Sequence, residues 1–143
     1  MAGYKKILVL LDLSDASDQI AAAGRDMAAH SNAAMLILHV VEFVPTEPLG
    51  ETLMPTMQIE QDLVQRAGAK LNELRARLGL TRATTRVEAG NKKTEILRVA
   101  KDEAVDLIVL GSRERHGLAV LVNFTEDTVL HAAHCDVLAV RLR

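Results

Sequence analysis

The fold is decided by residues 7–11, Ile-Leu-Val-Leu-Leu, an unbroken apolar run that ends at Asp12. Similar runs occur later in the chain, together with one shorter and more polar run. The apolar runs are residues 34–38 with 40–41, residues 107–110 and residues 137–140, and the polar run is residues 84–88. Strands that are apolar on both faces are typical of a parallel sheet covered by helices on both sides. The polar run predicts a strand at the edge of that sheet.

The segments between these runs have the apolar spacing of helices. Ser14 is expected to cap the first helix, with Asp15 and Asp18 in its first turn, where carboxylates face the positive end of the helix dipole. Gly79 is expected to end the second helix. The later helices are expected over residues 57–78, 94–103 and 125–134.

The buried side of two helices can be predicted from the same spacing. In residues 57–78 the expected stripe is Ile59, Leu63, Ala67, Leu71, Leu74 and Leu78. In residues 125–134 it is Val129, Leu130 and Ala133. Regular alternation of strands and helices predicts one domain, residues 1–143, with an α/β fold: a doubly wound three-layer sandwich on a five-stranded parallel sheet.

Composition excludes several classes of protein. The chain has 143 residues, 49% hydrophobic and 25% charged, as expected for one globular domain. A formal net charge of -2 and only three aromatic residues disfavour a nucleic-acid partner. The single cysteine, Cys135, excludes an internal disulfide. The first apolar run is too short to span a membrane, so we expect no membrane association and a cytoplasmic location.

Parallel sheets of this kind bind ligands beyond the carboxyl ends of their strands, and Asp12 lies at such an end. Three interpretations remain open for it: a phospho-acceptor, a hydrogen-bond acceptor for a bound ligand, or a cap of the first helix. The first lacks the neighbouring acidic pair, and the last strand ends with Arg141-Leu142-Arg143, without the lysine that such sites need. The other two are not distinguished by residue type.

The loop that begins at Gly111 and Ser112 follows a buried strand and precedes a helix, where phosphate-binding loops occur. It has no Gly-Lys-Ser/Thr and no Gly-x-Gly-x-x-Gly, so its glycine could simply turn the chain. His131 and His134 are too few for a zinc site, and no metal is expected. Cys135 is interpreted as a small buried residue, without a catalytic partner.

Five stretches together resemble the universal stress protein family along the whole chain. They are YKKILV with DLS at residues 4–14, LHVVE at 38–42, EAGN at 88–91, DLIVLGS at 106–112 and VLHAAHCDVLAVR at 129–141. The resemblance implies the universal stress protein fold, which is similar to that of adenine nucleotide alpha hydrolases. It also implies a homodimer and a role in survival under stress or growth arrest.

The family contains members that bind ATP, and the resemblance implies which residues would do so here. The nucleotide positions correspond to Asp12, Val40, Gly111, Ser112 and Thr125, but two glycine positions are occupied by Glu114 and Phe124. Glycines let backbone N–H groups approach phosphate oxygens, and a side chain obstructs that approach. Glu114 adds a negative charge, and Phe124 adds a bulky ring. We therefore expect a vestigial nucleotide site and no cofactor, with ATP binding at these residues as the alternative.

The last strand is apolar and no later element covers its outer edge. Such an edge must be paired, covered or charged, and pairing with the same strand of a second copy is an economical solution. The expected dimer interface is Val137, Leu138, Ala139, Val140, Arg141 and Leu142. The expected function is that of a cytoplasmic, non-enzymatic homodimer. An ATP-binding switch and a hydrolase or phosphotransferase are the alternatives.

Overall fold

Strands and helices alternate throughout the computed structural model, which describes residues 3–42, 53–113 and 125–142. The elements are β1 Lys6–Leu10, α1 Ser17–Ser31, β2 Ala34–Val41, α2 Leu53–Arg77, β3 Thr84–Ala89, α3 Lys92–Asp102, β4 Leu107–Arg113, α4 Thr125–Ala132 and β5 Asp136–Leu142. The predicted order of strands and helices is confirmed.

The strands form one five-stranded parallel sheet in the order β3-β2-β1-β4-β5. β1 lies at the centre, with Leu8 opposite Leu36 of β2 and Ile108 of β4. The chain winds outward from β1 in one direction through β2 and β3, and in the other through β4 and β5. The winding direction therefore reverses between β1 and β4, where a crevice opens beyond the carboxyl ends of the strands. The doubly wound fold is confirmed, and so are the positions of β3 and β5 at the two edges.

Two hydrophobic layers cover the sheet because successive strand residues point to opposite faces. Ile7 and Val9 of β1 pack with Ile20 of α1 and Leu71 of α2, whereas Leu8 packs in the other layer, with residues of α3 and α4. Ile7, Leu8 and Val9 are 0% exposed. Complete burial of such side chains stabilises the fold by about 1.5–3 kcal/mol each.

The prediction for the start of the first helix is wrong. α1 begins at Ser17, and the preceding Ala16 makes no side-chain cap hydrogen bond. The Ser14 hydroxyl instead accepts from the Ala16 N–H at 3.3 Å, and an Asp12 carboxylate oxygen accepts from the Ser14 N–H at 2.9 Å. Short polar side chains form such local turns in competition with the helix. Asp12 and Ser14 therefore shape the turn before α1, and the interpretation of Asp12 as a helix cap is also wrong.

Other corrections concern the buried stripes and the ends of helices. Ile59 and Leu130 are 48% and 58% exposed, so neither belongs to the core that the spacing predicted. α2 begins at Leu53, earlier than expected, and among its residues whose side chains the structure describes, 58–77, the buried ones are Ala67, Leu71 and Leu74. Gly79, at φ +69°, follows the end of α2 as predicted.

Candidate functional site: the strand-end crevice

The residues predicted to face a nucleotide come from three neighbouring strands. Asp12 follows β1, Val40 lies in β2, and Gly111 and Ser112 lie in β4. Thr125 is the first residue of α4, but its side chain lies outside the described residues, as do Glu114 and Phe124. The sheet therefore brings the predicted residues of β1, β2 and β4 to one end of the molecule.

Asp12 presents an exposed carboxylate whose direction is fixed by its own turn. Partial burial opposes its ionisation, but hydrogen bonds from Ser14 and the positive charge of Lys92 hold the pKa of Asp12 below its usual range. The next residue, Leu13, has a left-handed φ of 63° and packs against the hydrophobic layer of α1 and α2. Asp12 is thus an ionised hydrogen-bond acceptor, which is the property that a ligand with hydroxyl groups requires.

His39 joins β2 to the start of this turn. Its Nδ1 lies 2.7 Å from the carbonyl oxygen of Leu11. Because a carbonyl oxygen can only accept, Nδ1 carries the proton in this contact. The Leu11 N–H also donates to the carbonyl of Leu38 at 2.9 Å. Residues of β2 therefore bind both the N–H and the carbonyl of Leu11, the residue before Asp12. His39 is half-buried in a strand, as predicted, and acts as a positioning residue for the turn.

Glu42 follows the second apolar run, which places it at the same end of the sheet as Asp12, but its contact with Lys92 was not predicted from the sequence. The carboxylate of Glu42 accepts from the Lys92 N–H at 3.0 Å. The N–H of Gly90 donates to the carbonyl of Val41 at 3.0 Å, so the turn after β3 is bound to the end of β2. The glycine turn at residues 90–91 indicated the end of a strand, but residue types alone could not bring Lys92 close to Asp12.

Val40, Gly111 and Ser112 differ in what they offer a ligand. The side chain of Val40 is buried under α3, so only its backbone can face the crevice. Ser112 is half-buried. Gly111 faces α1, since a Cβ atom at this position would lie 2.7 Å from Cδ1 of Ile20 and 2.8 Å from Cδ1 of Leu142. Packing between α1 and β5 therefore favours a glycine at residue 111, because a methyl group there would have to displace the ends of both side chains.

Nucleophiles and metal ligands are sparse in the described ranges. No group of three or more His, Cys, Asp or Glu residues that could hold a metal ion occurs within residues 3–42, 53–113 and 125–142. Burial, together with the charges of Asp136 and Asp106, raises the pKa of the Cys135 thiol, which disfavours the reactive thiolate. Cys135 is half-buried, a less complete burial than predicted.

The predicted interface strand β5 hydrogen-bonds with β4 along one side. Leu138, Val140 and Leu142 pack against the layer formed by α1 and α2, and Val137 packs in the opposite layer. Ala139 and Arg141 are exposed. In the part of the chain that the structure describes, no helix has the length and apolar character needed to cross a membrane.

Comparisons with known proteins agree with this architecture. Universal stress protein UspA from Lactobacillus plantarum has a TM-score of 0.83 at 24% identity, over 99% of this chain and 100% of that one. A universal stress protein solved in complex with cAMP has a TM-score of 0.67 at 20% identity, over 96% of this chain and 97% of that one.

Sequence relatives extend the agreement beyond the fold. Universal stress protein A homolog 2 of Coxiella burnetii is 35% identical over 144 residues, which span 100% of this chain and 99% of that protein. The model of the universal stress protein family matches residues 3–141. The chain therefore belongs to the universal stress protein family, and this membership supports a role in the stress response.

Proposed function

We propose that this chain is a cytoplasmic, non-enzymatic homodimer that supports survival under stress or growth arrest and does not bind ATP tightly. Universal stress proteins are generally not enzymes, which supports the non-enzymatic role in this proposal. The remaining support comes from Gly111, from the two substituted glycine positions and from the edge of β5.

Gly111 is the observation that carries the nucleotide part of the proposal. It is the one position of the family's ATP-binding glycine pattern at which this chain retains glycine. A side chain there would collide with Ile20 and Leu142, as the distances of 2.7 Å and 2.8 Å from the Cβ position indicate. Since packing against these side chains already favours a glycine here, its presence is not by itself an argument for a bound phosphate.

Glu114 and Phe124 supply the second argument, which rests on the sequence. They replace the two glycines whose backbone N–H groups would approach the phosphates. A carboxylate at about 4 Å from a phosphate charge costs about 4 kcal/mol at an effective dielectric constant of 20. If the replaced glycine had a left-handed conformation, a side chain there adds about 1–2 kcal/mol. Together these costs are sufficient to abolish tight binding.

The homodimer is supported by the edge position of β5. Among the described strands it pairs with β4 alone, and its alternation leaves Ala139 and Arg141 exposed. An uncovered apolar edge associates unless it is charged or paired. Antiparallel pairing of β5 with β5 of a second copy around a two-fold axis would join the outer backbone edges of both strands.

An ATP-binding switch is the second candidate, and Asp12 favours it. Its exposed carboxylate stays ionised and could accept hydrogen bonds from ribose hydroxyl groups. A solved relative of the same fold was crystallised with cAMP, an adenine nucleotide that has no triphosphate. In this alternative Asp12, Val40, Ser112 and Thr125 would hold the nucleotide in spite of Glu114 and Phe124.

Thermal unfolding with and without Mg-ATP distinguishes the two candidates. The parent chain is expected to keep its melting temperature, whereas the double variant Glu114→Gly/Phe124→Gly gains a shift. At a 100-fold excess over Kd, binding adds about 2.7 kcal/mol to the free energy of unfolding. Asp12→Asn in the double variant is the control, because it removes the acceptor charge without altering the loop, and it should reduce the shift.

Two outcomes contradict the proposal in different ways. A nucleotide found by mass spectrometry on the purified parent, or a parent shift equal to that of the double variant, refutes the absence of ATP binding. A double variant that gains no affinity refutes the roles given to Glu114 and Phe124.

A further inference from the structure

A cleft of about 610 Å³ lies at the end of the sheet opposite to the crevice. We name it the amino-edge cleft: it lies between the end of α1 and the loop that joins α2 to β3, and its lining includes Arg25, Ala29, Met35, Leu80, Arg82 and Ala83. Small-molecule sites in proteins commonly have volumes of roughly 300–1,000 Å³. The amino-edge cleft is therefore large enough for a metabolite-sized ligand.

The charge of the amino-edge cleft is positive, although the whole chain has a formal net charge of -2. Arg25 and Arg82 line it, and no Asp or Glu does so among the described residues. A third guanidinium group, that of Arg75, donates from Nη1 to the carbonyl of the lining residue Ala83 at 3.0 Å. Three arginines around a cleft without a carboxylate favour an anionic occupant.

Arg82 and Arg25 are both available to such an anion. Within the described residues, Arg82 has no hydrogen-bond or ion-pair partner, whereas Arg77, Arg86 and Arg98 each contact at least one carboxylate. In the part of the chain that the structure describes, Arg25 forms an ion pair with Asp26 alone, at 3.6 Å between Nε and Oδ1, and the two side chains are 48% and 76% exposed. An exposed pair of this kind contributes about 0–1 kcal/mol, so a bound anion can replace Asp26 at little cost.

The walls of the amino-edge cleft are held in place before any ligand arrives. Asn32, at φ 53°, ends α1, and the following Ala33 N–H donates to the Ala28 carbonyl at 2.9 Å. The Leu80 N–H donates to the Arg75 carbonyl at 2.8 Å on the opposite side. A pre-formed site loses less conformational entropy when it binds.

A bidentate ion pair joins α1 to α2, the helix that precedes the loop lining the cleft. Arg77 of α2 donates from both terminal nitrogens to the carboxylate of Asp18 of α1, at 2.6 Å and 2.9 Å. We call the apolar part of the cleft lining the floor. Met35 and Leu80 contribute only small surfaces to it, since they are 7% and 6% exposed, and the exposed Ala29 and Ala34 add further apolar surface. A ligand that matches this lining combines an anionic group with a short apolar body.

We infer that the amino-edge cleft binds a small organic phosphate or carboxylate, with its charged group at Arg82 and Arg25 and its apolar body on the floor of the cleft. This site is independent of the strand-end crevice, because it lies at the amino ends of β2 and β3. Its occupation does not depend on whether the chain binds ATP.

Amide chemical-shift titration of the ¹⁵N-labelled full chain with n-hexyl phosphate tests the inference. Saturable shifts are expected at Ala33, Leu80 and Ala83. Arg82→Ala should raise Kd at least about tenfold, since a hydrogen bond to a charged group is lost. Arg66→Ala is the matched control: Arg66 is an exposed arginine of α2 outside this lining, and its loss should leave Kd unchanged.

Two further probes separate the contributions of charge and apolar surface. Inorganic phosphate should bind more weakly than n-hexyl phosphate because it leaves the floor uncovered, and 1-hexanol should bind more weakly because it has no charge. Equal affinity for inorganic and hexyl phosphate would mean an adventitious ion only, and overturns the inference. Unsaturable shifts, shifts centred on Asp12 and Ser112, or an Arg82→Ala variant that binds like the parent overturn it as well.

Discussion

The two edges of the sheet, β3 and β5, are built from different kinds of side chain. On β3, Arg86 contacts Glu88 at 3.2 Å and Glu103 at 3.1 Å, and Arg98 of α3 also contacts Glu88. On the opposite face of β3, the hydroxyl of Thr85 donates to the side chain of Asn72 at 3.0 Å. Charged and polar groups therefore cover both faces of the β3 edge.

The β5 edge has little of this protection. After Asp136 at its start, its side chains from Val137 to Val140 are all apolar, and Arg141 supplies the next charge. Charged side chains on an edge strand disfavour pairing with another chain, and apolar ones permit it. The comparison favours β5 over β3 as the edge that pairs with a second copy in the proposed dimer.

The largest effect is expected when a charge is added to the β5 edge. Ala139→Glu introduces a carboxylate at an exposed position of β5 that would face its symmetry mate across the proposed interface. Like charges opposed in an interface cost several kcal/mol, so the dimer should dissociate at micromolar concentration. Light scattering measures the mass directly.

Thr84→Glu is the matched control on β3, because Thr84 is also an exposed residue of an edge strand. It should leave the mass unchanged. A parent chain that is already monomeric, or a dimer that Thr84→Glu disrupts and Ala139→Glu does not, contradicts the assignment of the interface to β5.

A smaller effect is expected from Gly111→Ala, next to β5. The added methyl group would meet Ile20 at 2.7 Å and Leu142 at 2.8 Å, and overpacking of this kind costs about 1–3 kcal/mol. Thr85→Val on β3 removes only a surface hydroxyl contact, so its effect should remain within about 0.5 kcal/mol. Urea unfolding at one protein concentration compares the two, and equal effects would contradict the packing role of Gly111.

The smallest effect is expected from the ion pairs of β3, whose contribution to the free energy of unfolding depends on pH. Burial alone would raise the pKa of Glu88. Hydrogen bonds from Arg86 and Arg98 outweigh this effect, so the pKa of Glu88 lies below its ordinary value of 4.5. The folded state therefore favours the charged form, and the resulting stability is complete above about pH 4.5 and is lost as the pH falls through the lower folded pKa. Glu88→Gln should cost about 1 kcal/mol or less at pH 7 and flatten this acid dependence.

Asp26→Asn is the control for this prediction, because Asp26 makes only an exposed contact at 3.6 Å. Urea unfolding between pH 7 and pH 3 should give the parent's pH dependence for this variant. A Glu88→Gln variant whose stability falls as steeply as the parent's in acid would show that the β3 ion pairs do not stabilise the fold.

β1 was the element most clearly predicted from the sequence, because its central residues are completely buried. Residues 7–11 are apolar on both faces because β1 lies between two layers, and a short run of this kind is typical of a central parallel strand. The helix stripes were less reliable. Ile59 has the right spacing but precedes the buried residues Ala67, Leu71 and Leu74 of α2, and Leu130 is exposed although its neighbour Val129 is completely buried. Apolar periodicity predicts which face of a helix can be buried, but tertiary packing decides which of its residues are covered.

A residue of the candidate site could be predicted from the sequence when it directly follows a predicted strand. Asp12 comes directly after a buried run, and its position at the carboxyl end followed from that fact. The contact between Glu42 and Lys92 was missed because it depends on the pairing of β2 with β3, which residue types do not specify. The roles of Glu114, Phe124 and Thr125 remain predictions, to be tested by the loop variants.

The orientation of the Asp12 carboxylate depends on the packing of the next residue, Leu13. A left-handed conformation costs an ordinary side chain about 1–2 kcal/mol, and Leu13 maintains it at φ 63° while its side chain is packed beside α1. Trimming this leucine would therefore loosen the neighbouring acidic group without removing any of that group's hydrogen bonds. In this protein, the conformation of a surface turn is therefore maintained by the packing of a partly buried leucine side chain.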